Sequence, residues 1–245
     1  MLVVLDPIGK VIRYSKDDYS FIDEMSFRGS IVAGHYLGLL NDNCYIILSR
    51  SDKSLLHRCS FSEQTISAFN ISCPTWLIQS PMMSYISPFF YFEGHVSFLN
   101  SLDGSLYSIG DHMLSRYVYW DFGNYHLKEK FVPEKKLPGY YLTWMNKTSY
   151  KYATSFSFAQ ETSDYILTQF LFRNIPHLFI FRKDNNQIKT IIQTKEGLRI
   201  ALGFCDNGYM YRTIPCSQLG LFIPQDNTAS LPETEYVLLR YVFRD

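Results

Sequence analysis

Apolar and polar residues alternate with a period of two along most of the chain. The pattern runs through "LVVLD", "KVIRYS", "SFIDEMSF", "YIILSR", "SLLHRCSF", "TISAFNI", "FFYFEG", "HVSFLNS", "SLYSIG" and "RYVYWDFG". It resumes in "YATSFSFAQ", "DYILTQFLF", "HLFIFRK", "QIKTIIQ", "RIALGF", "YMYRTIP" and "EYVLLRYVF". Successive side chains of a strand point to opposite faces, so each run reads as a short, half-buried β-strand. The separators "DPIG", "NDN", "RSDKS", "LDGS", "KDNNQ" and "CDNG" are turn formers short enough for hairpins, which predicts antiparallel pairing of neighbours. "IVAGHYLGLL", Ile31 to Leu40, is the longest apolar run; broken by His35, it is too short to span a bilayer and reads as a buried strand.

The strands fall into groups. "FFYFEG / HVSFLNS / SLYSIG / RYVYWDFG" forms one four-stranded meander and "YATSFSFAQ / DYILTQFLF / HLFIFRK / QIKTIIQ" another, as the blades of a propeller do. Hairpins at "LVVLDPIGKVIRYS" and "LLHRCSFSEQTISAFNI" repeat the motif. The expected architecture is an all-β propeller of four-stranded antiparallel blades, about four blades plus the leading hairpin, forming one domain over residues 1–245. Two long connections interrupt the series, Ser72 to Pro88 and Asn124 to Tyr150. The second is expected to hold one or two helical turns around "HLKEKFV", ending before Pro133.

Composition adds weight to this reading. Aromatic residues make up 17% of the chain, and they suit pleated, half-buried surfaces. The 23 Lys+Arg balance 23 Asp+Glu, so no overall basic field attracts nucleic acid, which is not expected as a partner. No stretch predicts a transmembrane segment. The N-terminus lacks the basic region and small-residue cleavage site of a signal peptide. Cys44, Cys59, Cys73, Cys205 and Cys216 are odd in number and contain no CxxC pair, so they read as buried thiols.

The motifs that carry chemistry are sparse. Asp121 of "WDFG" lacks the glycine-rich loop, lysine and HRD segment that a kinase DFG requires; it reads as the acceptor of an inter-blade corner whose turn Gly123 makes possible. Glu161 and Asp164 of "ETSDY" lie at a turn between strands and read as polar punctuation. His35, His57, His95, His112, His126 and His177 show no metal-ligand spacing, no nucleophile motif is present, and "DPIGK" and "LDGS" do not continue into a calcium loop. "NIS" at Asn70 and "NKT" at Asn146 match the glycan acceptor pattern only. No catalytic residue, metal or cofactor is assigned. The aromatic residues of the two long connections stand out: Trp76 and Tyr85 in the first, and Tyr140, Tyr141, Trp144 and Tyr150 in the second. They either anchor their loops to the blade beneath or stack on a flat ligand at the channel mouth, and Trp76, Tyr85, Trp144 and Tyr150 are the binding candidates.

"RYVYWDFGNYHLKE", "FAQETSDYILTQFLF", "HLFIFRKDNNQIK" and the closing "TEYVLLRYVF" resemble the six-bladed β-propeller proteins abundant in Bacteroidetes. "LVVLDPIGKVIRYS" is similar to the outer hairpins those proteins share with NHL-type propellers. The resemblance covers most of the chain and is strongest from Ser105 to Thr190. It implies a six-bladed ring, usually exported, often as a lipoprotein, and mostly without established activity. The chain departs from that pattern in having about four blades plus a hairpin and no lipobox cysteine, which suggests a truncated or shortened propeller whose open edges favour self-association. Two functions compete. One is a non-catalytic module that recognises a glycan, a peptide or a partner protein on one propeller face. The other is a glycan-active lyase or hydrolase with its site at the channel mouth.

Overall fold

The computed structural model describes residues 1–7, 9–28, 33–50, 56–69, 87–101, 103–128, 140–195, 197, 204–206, 209–221 and 236–241. Among them lie five antiparallel sheets. The first comprises β1 (Leu2–Asp6), β2 (Lys10–Tyr14) and β3 (Phe21–Ser26). The second comprises β4 (Ala33–Asn41), β5 (Cys44–Arg50), β6 (Leu56–Ser60) and β7 (Thr65–Ala68). The third holds β8 (Phe89–Phe92), β9 (His95–Leu99), β10 (Leu106–Ile109) and β11 (Leu114–Val118). The fourth holds β12 (Thr154–Glu161), β13 (Tyr165–Phe172), β14 (Ile175–Arg182) and β15 (Gln187–Ile191), and the fifth β16 (Phe204–Asp206), β17 (Tyr209–Pro215) and β18 (Tyr236–Tyr241). Within each sheet the strands follow chain order, so every sheet is a meander.

Local chemistry accounts for the tight hairpins. β8 turns into β9 through Glu93 and Gly94, and β13 into β14 through Arg173 and Asn174, with Phe92 opposite His95 and Phe172 opposite Ile175. All four turn residues have positive φ, the two-residue geometry whose twist matches that of the flanking strands. Between β12 and β13, Thr162 does the work instead, its Oγ1 accepting the Tyr165 N–H at 3.0 Å.

The sheets stack face to face, as blades do. Val11, Met25 and Phe27 of the first pack on Tyr45, Ile47, Cys59 and Phe61 of the second. Ile46, Leu48 and Leu56 meet Phe89, Val96 and Phe98 across the next seam, and Phe90, Leu99, Leu106 and Trp120 meet Phe156, Ala159, Ile166 and Phe170 across the one after. The first strand of one sheet approaches the first strand of the next, from β1 to β4 to β8 to β12. Gly38 of β4 makes one approach feasible, because a Cβ there would stand 3.0 Å from the Phe89 ring. The outer face of the first sheet is different: Leu2, Val4 and Phe21 are exposed on it.

The expected propeller-type architecture is present, with corrections of detail. The leading hairpin gains a third strand, β3, which pairs with β2. The second long connection holds a helix the sequence did not suggest, α1 (Tyr140–Lys151), while most of the expected turn around "HLKEKFV" lies outside the described residues. His126 at the start of that motif makes an isolated parallel bridge with Ala153, and residues 129–139 lie outside the described residues. The α1 sequence "YYLTWMNKTSYK" is rich in aromatic and β-branched residues with weak helix propensity, and burial of its Trp144 and Thr148, four apart on one face, holds it against the propeller. Cys44, Cys59 and Cys216 are buried free thiols as expected, while Cys73 lies outside the described residues.

Candidate functional site

Strand direction separates two rims. β4, β8 and β12 all start at one of them, which also carries the β9–β10 and β13–β14 turns and receives the long connection that holds α1; it is termed the connection rim. The opposite, turn rim carries the β4–β5, β8–β9, β10–β11, β12–β13 and β14–β15 turns.

On the connection rim the chain leaves β11 through the Asp121 corner. Asp121 Oδ1 accepts the Gly123 N–H at 2.7 Å, and Gly123 has φ +57, so the carboxylate closes a turn as its sequence setting predicted. A short 3-10 turn at Gly123–Tyr125 follows, and the Tyr125 carbonyl accepts the Ala153 N–H at 2.9 Å, which ties the corner to the start of β12. The other end of the connection is secured by buried Trp144 and by the Ser149 hydroxyl, which donates to Asn174 Oδ1 in the β13–β14 turn.

These anchors bring aromatic rings into contact along the rim. Tyr119 lies 5.1 Å from His126 and shares a 3.0 Å hydrogen bond with its Nε2. Phe122 stacks on His126 and touches Phe170 at 4.9 Å. Phe170 stacks in turn on His177, and Phe172 meets both His177 and Tyr125 edge-on. The inner rings belong to the core. Tyr119 and Tyr125 are about half-exposed at 46% and 53%, and Tyr150 at the end of α1 reaches 64%. Two guanidinium groups cover rings of this series, Arg116 over Tyr119 at 4.9 Å and Arg173 over Phe172 at 5.4 Å. Buried Trp120 Nε1 and His126 Nδ1 have no hydrogen-bond partner among the described residues.

Of the four binding candidates, Tyr150 is exposed near the end of α1, and Trp144, 7% exposed, is buried on the same helix and anchors it. Trp76 and Tyr85 lie outside the described residues. Sequence reasoning passed over Tyr119, Tyr125, Phe172, Arg173 and His177. The available signal was the aromatic density of "YVYWDFGNYH", which continues past the end of the strand into the corner.

The turn rim is chemically different. Glu161 pairs with Lys183 at 2.7 Å and accepts the Tyr117 hydroxyl at 2.9 Å, while Lys183 stands 4.3 Å over the Phe92 ring. Tyr117's ring edge is exposed, yet its hydroxyl turns into the seam, where burial pushes its pKa above the ordinary tyrosine value. Asp164 contributes its carbonyl to the Lys183 N–H. The Glu161 carboxylate of "ETSDY" therefore closes a seam, and Asp164 takes part through its backbone. Elsewhere on this rim Arg58 makes a two-pronged pair with Glu63 at 2.8 and 3.0 Å, and Arg13 grips Asp23, the Asp42 carbonyl and Asn43 Oδ1. Among the described residues no three His, Cys, Asp or Glu side chains converge as a metal site, and no helix is long and apolar enough to cross a membrane.

Comparison with known proteins agrees with the fold. No curated protein matches the chain. Among solved structures, it is similar to the crystal structure of a candidate exported protein from Bacteroides fragilis, with 11% identity and a TM-score of 0.64. That likeness covers 99% of this chain and 77% of the other, and at such identity it speaks for the fold alone. A family model described as a 6-bladed beta-propeller matches residues 1–200, and the chain therefore belongs to that six-bladed β-propeller family.

Proposed function

We propose that this propeller is a non-catalytic carbohydrate-binding module, exported from the cell, whose site is the connection rim between the third and fourth sheets. The observation that carries the reading is the exposure of Tyr119 and Tyr125 on a floor of mutually packed rings, with Tyr150 exposed on α1, which Ser149 ties to the β13–β14 turn. A tyrosine combines an apolar face with a hydroxyl and has few rotatable bonds, so it stacks on a sugar ring with little ordering. The floor beneath is supported by backbone and side-chain bonds, which keeps the platform rigid before a ligand arrives. Export accords with the description of the Bacteroides fragilis neighbour. Trp144 serves the site as the anchor that places Tyr150.

The test is a glycan and peptide array probed with the wild type and with a Tyr125→Ala, Tyr150→Ala double variant whose thermal unfolding is unchanged. Glycan binding that is lost in the double variant supports the module. Binding that survives moves the site elsewhere, peptide-only binding replaces the ligand class, and cleavage of a bound glycan makes the protein an enzyme.

A further inference from the structure

We infer that the ligand of the connection rim is an anionic polysaccharide, held by its sugar faces on the exposed tyrosines and by its carboxylate or sulfate groups on an arc of unpaired cations. The inference rests on the carbohydrate reading above and adds the charge of the ligand. Exposed Arg116, Lys128, Lys147, Lys151 and Arg173 belong to the elements that build this rim. None of the five forms an ion pair among the described residues. Among the described residues, the Asp121 and Asp103 carboxylates of this rim accept backbone N–H groups, from Gly123 and from Ser105 at 2.8 Å, and form no ion pair with the five cations. The chain as a whole is formally neutral, so the basic character of this rim is local.

Placement argues further. Arg173 occupies a left-handed backbone position, φ +53, in the β13–β14 turn, where glycine or asparagine sits with less strain. The strain fixes a guanidinium beside Phe172, which itself contacts Tyr125 at 5.1 Å. Arg116 lies likewise against Tyr119. Arginines set against Tyr119 and against Phe172, the neighbour of Tyr125, match a polymer that carries both sugar faces and acidic groups, and the planar guanidinium forks suit both carboxylate and sulfate oxygens. An acidic peptide would satisfy the cations but has no ring face to occupy the tyrosines at each step.

The test measures binding by calorimetry for four ligands: an oligogalacturonate, a heparin oligosaccharide, a neutral cello-oligosaccharide and a poly-glutamate peptide, each at about 0.05 M and about 0.5 M salt, where screening differs severalfold. The proteins are the wild type, Tyr125→Ala, and an Arg173→Gln, Lys151→Gln double variant. The expected result is that one or both anionic sugars bind, weaken about tenfold or more in high salt, and weaken comparably in the double charge variant. Comparison of the two sugars identifies carboxylate or sulfate as the group read. If the neutral sugar binds as tightly as the anionic ones with no salt dependence, the charge inference fails and the carbohydrate reading stands. If no sugar binds, both fail, and poly-glutamate binding equal to that of the sugars assigns the rim to an acidic protein.

Discussion

On the turn rim, acid meets base within the protein: Glu161 with Lys183, Glu63 with Arg58, Asp23 with Arg13, Asp184 with Arg182. On the connection rim over the third and fourth sheets, Arg116, Lys128, Lys147, Lys151 and Arg173 have no carboxylate partner among the described residues, and the half-exposed Tyr119 and Tyr125 belong to the same rim. The same sheets form both rims, so the difference is one of allocation. Tight hairpins between paired strands need side chains that satisfy the turn and the neighbouring sheet, and such side chains are consumed by structure. A long connection supplies its own anchors, here Asp121, Trp144 and Ser149, and Tyr125, Lys128 and Lys147 along it face solvent.

The contrast can be broken at its base. Gly104, in the β9–β10 turn of the connection rim, has φ +74, and a Cβ there would overlap the Phe156 ring across the seam. Gly104→Ala adds a left-handed backbone strain to an overpacked core, so a loss of about 4 kcal/mol is expected in chemical denaturation. The partner variant Gly104→Ala, Phe156→Leu should recover part of it if overlap is the cause.

Acid separates interior from rim. Burial holds the His57 imidazole down to about 4, below its ordinary value of 6.5. The unfolded chain therefore binds the extra proton first, and stability is full above about pH 6.5 and falls as pH drops towards 4, by roughly 3 kcal/mol. Asp23 and Glu63 are held below the usual carboxylate range by hydrogen bonds from Arg13 and Arg58, so their contribution is present above the unfolded carboxylate pKa and disappears only as pH falls through their lower folded values. Two acid limbs are expected in stability against pH, and His57→Gln should remove the upper one alone.

Equal charge changes on the two rims should have unequal effects. Arg13→Ala strips Asp23 of its partner, frees the β4–β5 turn and uncovers Phe61, over which the guanidinium lies at 4.0 Å. Asp23 keeps some access to water, so the expected loss is about 2 kcal/mol. On the connection rim, Arg173→Gly removes a charge and relieves a left-handed backbone, so a gain of about 1 kcal/mol is expected in thermal or urea unfolding. Destabilisation by Arg173→Gly would show that the side chain supports the fold and would erase the distinction between the rims.

The blades themselves were legible because alternation and turn residues act locally. "FFYFEGHVSFL" and "DYILTQFLFRNIPHLFIF" each specify two strands and the turn between them, and the structure reproduces both. The Asp121 corner was legible for the same reason, since the acceptor and its Gly123 donor are two residues apart. The helix α1 was not. Its residues have weak helix propensity, and what favours the helix is tertiary burial of Trp144 and packing of the helix on β12 and β13, which no local pattern announces. The candidate site was half-legible: Tyr150 was named from its connection, whereas Tyr125 and Phe172 meet only because the corner is bonded to Ala153 and β12 and β13 pair beside it.

Each of the three seams among the first four sheets carries a polar contact of its own kind. Arg13 of β2 holds the β4–β5 turn at the first, the Tyr91 hydroxyl meets the Leu39 amide at the second at 2.6 Å, and Tyr117, Glu161 and Lys183 close the third. The sheets are thus keyed, each fitting one neighbour in one order. A propeller lineage that grows by copying blades begins with interchangeable parts, and such keys record how far this chain has moved from that state. A blade duplicated or exchanged within it would have the right shape and the wrong lock, leaving an arginine or a glutamate in an apolar seam. Recombination between its repeats is thereby penalised, and change in this protein is channelled into the connections, where its candidate site already lies.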